Sequence, residues 1–461
     1  MAEELKAKQL ISKINEFTEN NNIDMLCTLL DQQRTSRLAE VMELLEGDRN
    51  AVILGCLPKE EASEVFEKLD EATRAELYEL LNVRQLKTLI YELDPDDAAD
   101  ILSELPPSAS EHLLRTMKPD ESETIKNLMQ YSDDSAGGIM DPLFLSVPKG
   151  STAHEAIELL KIQESDEDFY AVYVVDIEGV YLGDVRIRNL LSAEPEQKIE
   201  ELIEENSLSV SVFFDQEEIK NIFSKNDLIA VPVVDGNNVL VGRITADRVL
   251  EVAEEEAAED IYTIAGTDAE ELYDTSVFRA ARIRMTWLVP CLIGTGVTAI
   301  VMLFFKNSHT EVYTVAAAFA PMIAAISGNA GLQTSAVVIC GLATGHMAAL
   351  NLGQVFIREA RIALLIALSC GVIGGLIYTG LSDVLGNHTP DSGLNYMMVS
   401  AAFGIAMSAS VMVSTTLGLF LPFLFKKIGI DPAISSGPLV TTANDSISVS
   451  IYLFTTLAFL G

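Results

Sequence analysis

The sequence predicts a multi-domain membrane protein: an all-α superhelical N domain, two α/β units in tandem, a connecting acidic helix and a five-helix α-helical transmembrane domain. The prediction rests on an uneven charge, two internal repeats of different period, and long uncharged stretches confined to the C-terminal part. Of 31 Lys/Arg and 68 Asp/Glu, only five and six fall in residues 285–461, which leaves residues 1–284 with a net charge of −36. So acidic a surface repels nucleic acid and attracts multivalent cations.

Residues 1–130 carry the first repeat. Leu45, Leu57, Leu69, Leu81, Leu93, Leu105 and Met117 stand 12 apart, and most precede a helix-start residue such as Pro58, Asp70, Asn82, Asp94-Pro95 or Pro106-Pro107. Asp and Asn cap free amides, and Pro is tolerated in a first turn. The pattern predicts short helices stacked as a superhelix.

The second repeat has a period of 59. Asp168–Asp176 (Asp-Phe-Tyr-Ala-Val-Tyr-Val-Val-Asp) aligns with Asp227–Asp235 (Asp-Leu-Ile-Ala-Val-Pro-Val-Val-Asp), and Gly183 aligns with Gly242. Each copy reads as helix, strand, turn, strand, helix. The two units, 138–199 and 200–255, resemble a pair of CBS domains. Such pairs often hold adenine nucleotides through a Thr or Ser followed three residues later by Asp or Asn. Here Thr245 is followed by Arg248, with Asp247 one short, and the first copy has Arg186 and Asn189. Bound ATP is therefore not favoured.

Residues 246–277 open with an acidic helix whose apolar stripe is Leu250, Ala253, Ala257, Ile261 and Ile264. Gly266 ends it, and Thr267–Glu270 forms a capping-box pattern for a short helix to follow. From Met285 charge all but disappears. About 20 apolar residues cross a bilayer, and five spans are expected within 283–461, at 285–306, 312–341, 360–382, 393–424 and 434–459. Arg279, Arg282, Arg284, Arg358, Arg361, Lys426 and Lys427 lie on one side. The positive-inside rule then puts the N-terminal domains in the cytoplasm and the C-terminus outside a plasma (inner) membrane. No signal peptide is expected, because charge interrupts the first apolar residues. The five cysteines and five histidines are scattered, which excludes a disulfide framework and a transition-metal site. Without a Ser-His-Asp set, phosphate loop or metalloprotease motif, the chain does not read as an enzyme.

Asp445 stands alone in the middle of the last span, where a carboxylate costs roughly 2.5–3.5 kcal/mol on insertion scales. No basic residue lies mid-span to pair with it. Thr441, Thr442 and Asn444 surround it with oxygen, which suits a hard cation such as magnesium held through its water shell. Pro438 is expected to free a carbonyl one turn back. In the second span Gly328 permits close approach, and Asn329 and Gln333, four apart, share a helical face.

Pro321–Thr334 (Pro-Met-Ile-Ala-Ala-Ile-Ser-Gly-Asn-Ala-Gly-Leu-Gln-Thr) and Gly429–Asp445, ending Leu-Val-Thr-Thr-Ala-Asn-Asp, resemble the two signature segments of the MgtE family of magnesium transporters. The order of parts matches too. Departures are Cys340, where many members have Arg, and Ser327 for a frequent Gly. The resemblance implies a homodimeric magnesium channel with Asp445 at the ion. It also implies cytosolic magnesium bound among Asp96, Asp97 and Asp100 of the N domain, Glu217 and Asp227 of the second CBS copy, Glu251, Glu256, Glu259 and Asp260 on the connecting (plug) helix, and Asp431. Neutralising facing acidic surfaces would then close the channel. The alternatives are a carrier of another divalent ion (Co²⁺, Mn²⁺ or Ca²⁺), a coupled exchanger, or a membrane sensor that transports nothing.

Overall fold

The computed structural model describes residues 2–20, 22–45, 47–162, 169–204, 207–268, 271, 277–344, 347, 352–384, 396–435 and 437–460. They form two compact units, 1–254 and 255–461; each is described by itself.

In the first unit, ten helices run from Ala2–Glu19 to Pro119–Leu128. The 12-residue period is the length of one helix plus its cap. Asp70 accepts a hydrogen bond from the Thr73 amide at 2.7 Å. Asn82 and Gln85 form a reciprocal capping box, and Pro95, Pro107 and Pro119 occupy first turns. The repeat leucines stand just before these starts. Leu69, Leu81 and Leu105 are buried, and Leu45, Leu57 and Leu93 pack partly buried against the same core.

Two three-stranded sheets follow. β1 (Ser146–Pro148), β2 (Ala171–Val175) and β3 (Tyr181–Arg186) are repeated by β4 (Val210–Ser211), β5 (Ala230–Val234) and β6 (Leu240–Thr245). In each, the first strand is parallel to the second and the third antiparallel, with a register shift at Val174/Val175 and again at Val233/Val234. Strands β1 and β4 escaped sequence reading because two or three residues show no alternation. Asp168 lies outside the described residues. Arg243 is buried, and its guanidinium binds Asp141 at 2.7 and 2.8 Å beneath the ring of Phe169.

The acidic helix spans Ala246–Ala265 and closes at Gly266, whose φ of 78° suits glycine. Glu270 and most of the short helix expected next lie outside the described residues. Thr267 instead donates to Glu271, which also pairs with Arg284.

The second unit contains five long helices: Val277–Ser308, Ala320–Ala343, Leu352–Val384, Tyr396–Lys427 and Pro438–Leu460. By length and composition the first four can each cross a membrane. The fifth is long enough but carries Thr441, Thr442, Asn444, Asp445, Ser446, Ser448 and Ser450 in its first half. Two expected spans start later than predicted. The stretch at 312 is a separate short helix, Thr310–Ala316, and the second long helix begins at Ala320, with Pro321 in its first turn. The last begins at Pro438 after a 3₁₀ turn at Pro432–Ser435. At one end of the bundle Phe305, Phe319, Tyr378, Phe403, Tyr452 and Phe454 stack edge to face and tilted. Elsewhere the helices meet through small residues: a Cβ on Gly418 would overlap the carbonyl oxygen of Gly331.

Candidate ion-binding site

The polar half of the fifth helix is tied to three neighbours. Asn444 is fully buried. Its Nδ2 donates to Ser327 Oγ at 2.9 Å, Ser448 Oγ donates to its Oδ1 at 2.8 Å, and the two serine oxygens lie 2.9 Å apart. This closed triad joins the fifth helix to the second, while Ser410 Oγ of the fourth donates to the Ser448 carbonyl at 3.3 Å. On the other side Ser446 and Thr298 hydroxyls lie 2.8 Å apart, and Ser446 donates to Gly294 O at 3.2 Å, which joins the fifth helix to the first.

Successive helical residues point about 100° apart. Asp445, between Asn444 and Ser446, therefore projects between the second and first helices. Gly328 leaves room there: a Cβ on it would lie 3.4 Å from Thr441 Cγ2, 3.6 Å from Asn444 Nδ2 and 3.9 Å from Asp445 Oδ1. Asp445 is half-buried and, among the described residues, has no hydrogen-bond or ion-pair partner. An apolar cavity of about 520 Å³, lined by Val297, Val301, Ser450 and Phe454, adjoins this cleft at Ser446 but does not include Asp445.

The structure thus brings together Gly328, Thr441, Asn444 and Asp445. One expectation changes, the free carbonyl near Pro438, and the other residues have defined surroundings. Asn444 donates to Ser327 and accepts from Ser448, so both ends of its amide are engaged beside Asp445. Pro438 sits at the helix start, where a missing N–H breaks no bond, and the Gly437 and Pro438 carbonyls accept from Thr441 at 2.9 Å and Thr442 at 2.6 Å. Asn329 and Gln333 share the exposed face of the second helix, beside the Gly328 face. Ser327 and Ser448 were missed, because a serine in an apolar run carries no signal until its partner is known. Asn444→Ala removes two buried hydrogen bonds and is expected to cost about 2–3 kcal/mol. The readout is a lower melting temperature of the full chain in detergent, and an unchanged one would show that the triad does not hold the helices.

The remaining acidic candidates fall in different places. In the first unit Asp96, Asp97 and Asp100 stand on helix Pro95–Glu104. Asp96 Oδ1 is buried with no hydrogen-bond partner, and burial together with Asp97, Asp141 and Asp94 drives its carboxyl well above the usual range. Burial also raises Asp97 to about 7 and Asp100 to about 6, against the lowering effect of Arg248. Asp100 and Glu251 both bind Arg248, at 2.9 and 3.1 Å. Glu217 and Asp227 sit at opposite ends of helix Gln216–Asn226, about 15 Å apart by helical rise. In the second unit Glu256, Glu259 and Asp260 share one face of the acidic helix, and Asp431 Oδ1 accepts from Ala433 N at 2.8 Å. Among the described residues no three His, Cys, Asp or Glu converge closely enough to hold a metal ion.

The raised carboxyls predict a pH dependence. Folded Asp97 and Asp100 keep protons that the unfolded chain, with a pKa near 3.9, has released. Their contribution is therefore greatest at acid pH and is lost as pH rises through 6 to 7. In a chelator the melting transition of the cytosolic half of the full chain should rise between pH 7.5 and 5.5. A transition falling throughout that range would contradict it.

Three family profiles match the chain: the MgtE intracellular N domain at residues 33–134, the CBS domain at 199–255 and MgtE, described as a divalent cation transporter, at 320–455. The magnesium transporter MgtE of Bacillus subtilis is 32% identical over 73% of this chain and 72% of its own. The chain belongs to the MgtE family of divalent cation transporters. A second MgtE family member, the magnesium transporter MgtE of Thermus thermophilus, is 29% identical over 97% of both chains. Among solved structures, the cytosolic domain of the Mg²⁺ channel MgtE in complex with ATP is similar with a TM-score of 0.50 and 30% identity, covering 52% of this chain and 99% of that one. Membership of MgtE makes this a multi-pass membrane transporter with an intracellular N domain, not an enzyme.

The cytosolic domain of that relative is in complex with ATP. Arg248, where a ribose-binding Asp or Asn would stand, is held by Asp100 and Glu251. In the first copy Arg186 pairs with Glu204 at 2.9 Å and Asn189 donates to the same carboxylate at 3.3 Å. In this structure all three groups are engaged with carboxylates.

Proposed function

We propose that this protein carries Mg²⁺ into the cytoplasm as a homodimer, with the hydrated ion held at Asp445. The observation that carries this reading is a half-buried carboxylate without a hydrogen-bond or ion-pair partner among the described residues, flanked by hydrogen-bonded neighbours on either side and opposite a glycine. Magnesium gives up its water reluctantly, so one or two carboxylates and several hydroxyls suffice. Two copies would set two negative charges on one dication. The donors are oxygens alone, which favours magnesium over softer ions. Both relatives named above are magnesium transporters. The C-terminus lies outside, because the odd fifth helix follows Lys426 and Lys427.

High cytosolic magnesium closes this route. The acidic face Glu256–Glu259–Asp260 is a surface whose self-repulsion a dication relieves. The end of the acidic helix lies against the start of the fifth: a Cβ on Gly266 would meet the Pro438 ring, and one on Gly437 would overlap Ile264 O. Flux into liposomes at low and high internal magnesium tests this. Entry should fall at high internal magnesium, and equal entry at both would end the gating proposal. Passage of Co²⁺ or Mn²⁺ in preference would replace the substrate, and a pure protein that passes nothing would favour a sensor.

A further inference from the structure

We propose that Arg248 is a built-in counter-cation that keeps the N domain closed on the second CBS unit without a bound metal ion. Its Nη2 donates to Asp100 Oδ2 at 2.9 Å and its Nη1 to Glu251 Oε2 at 3.1 Å. Asp97, one turn before Asp100 on the same helix, lies within its field. Three carboxylates from both sides of the junction thus share one guanidinium.

Facing acidic surfaces repel, and something positive must sit between them. A planar fork with fixed donors satisfies two carboxylates at once and cannot lose its charge at neutral pH. Because it is covalently attached, it neither dissociates when magnesium is scarce nor makes way when magnesium is plentiful. Its charge also repels an approaching dication from the same carboxylates. Arg243 adds a second positive charge from the adjoining strand β6, where it binds Asp141. Helix Pro95–Glu104 therefore stays docked at every magnesium concentration. Regulation by magnesium, as proposed above, is left to the acidic helix beyond residue 255. The inference concerns docking alone and stands or falls separately from Asp445.

The test is hydrogen exchange of the full chain in detergent, read at residues 95–104 in chelator and in saturating MgCl₂. In the unaltered protein the exchange rate should differ by less than about twofold between the two. Protection that arises more than about tenfold on adding magnesium would overturn the proposal. Arg248→Asp places a fourth carboxylate among the three. It should exchange about tenfold faster in chelator and recover with MgCl₂. Arg248→Gln, which keeps much of the stem and is the safer variant to fold, should show the same loss in chelator. Arg248→Lys should keep most of the magnesium-independent protection. Exchange in Arg248→Gln equal to the unaltered protein would show that the guanidinium holds nothing closed.

Discussion

Asp445→Ala is expected to lower magnesium flux into liposomes by on the order of 100-fold, because charge-assisted hydrogen bonds are worth about 1.5–3 kcal/mol each and 1.36 kcal/mol is a factor of ten in rate. The carboxylate accepts hydrogen bonds from water bound to the ion, and its charge offsets part of the ion's lost hydration. Asp445→Asn keeps the shape, the oxygen and the neighbours Asn444 and Ser446, but not the charge. It should fall nearly as far if charge is what matters. Asp445→Glu keeps the charge on a longer stem opposite Gly328 and should retain part of the flux. Helix packing separates this from misfolding: Asp445 bonds no neighbour among the described residues, so removing it should leave the melting temperature nearly unchanged, unlike Asn444→Ala. A folded Asp445→Ala protein that conducts like the original would remove the site.

Gly437→Ala is the second large effect. Gly437 has φ 52° and stands directly before the fifth helix. A left-handed backbone costs a residue with a Cβ roughly 1–2 kcal/mol, and overpacking costs about 1–3 more. The obstacle is the carbonyl oxygen of Ile264, which is backbone and cannot swing aside as a flexible side chain would. The end of the acidic helix must therefore move off the start of the fifth. Inhibition by internal magnesium should weaken, with the inhibiting concentration rising about tenfold or more for 1.4 kcal/mol or more of lost coupling. Gly266→Ala should act in the same direction, since its Cβ would meet the Pro438 ring. Gly296→Ala, with open space around the added carbon, should do nothing. Unchanged inhibition in a folded Gly437→Ala protein would show that this contact transmits nothing.

Periodicity made much of the architecture legible. The 12-residue and 59-residue repeats each predicted a unit that folds as expected, because capping residues and β-branched alternation act locally. The same locality explains the errors. Strands β1 and β4 exist only through pairing with β2 and β5. The breaks at 317–319 and before Pro438 fall inside uncharged runs, where hydropathy sees no boundary. The lone Asp445 was visible because burying a carboxylate is costly wherever the fold puts it. The partners of Asn444 were not legible, since an amide beside an acid gives no sign of Ser327 and Ser448 until the helices meet.

The sequence by itself determined where capped helices start in the N domain, which segments are repeated, which stretches are apolar enough to lie in lipid, and that one acid in the last of them needs a partner. These follow from interactions spanning a few residues or from solvation. Only the tertiary structure decided that Asn444 locks while Asp445 projects, and that Arg248 meets Asp100 from 148 positions away. It alone set Gly437 under the Ile264 carbonyl. Direction and partnership depend on which surfaces meet, and no local pattern of residue types contains that.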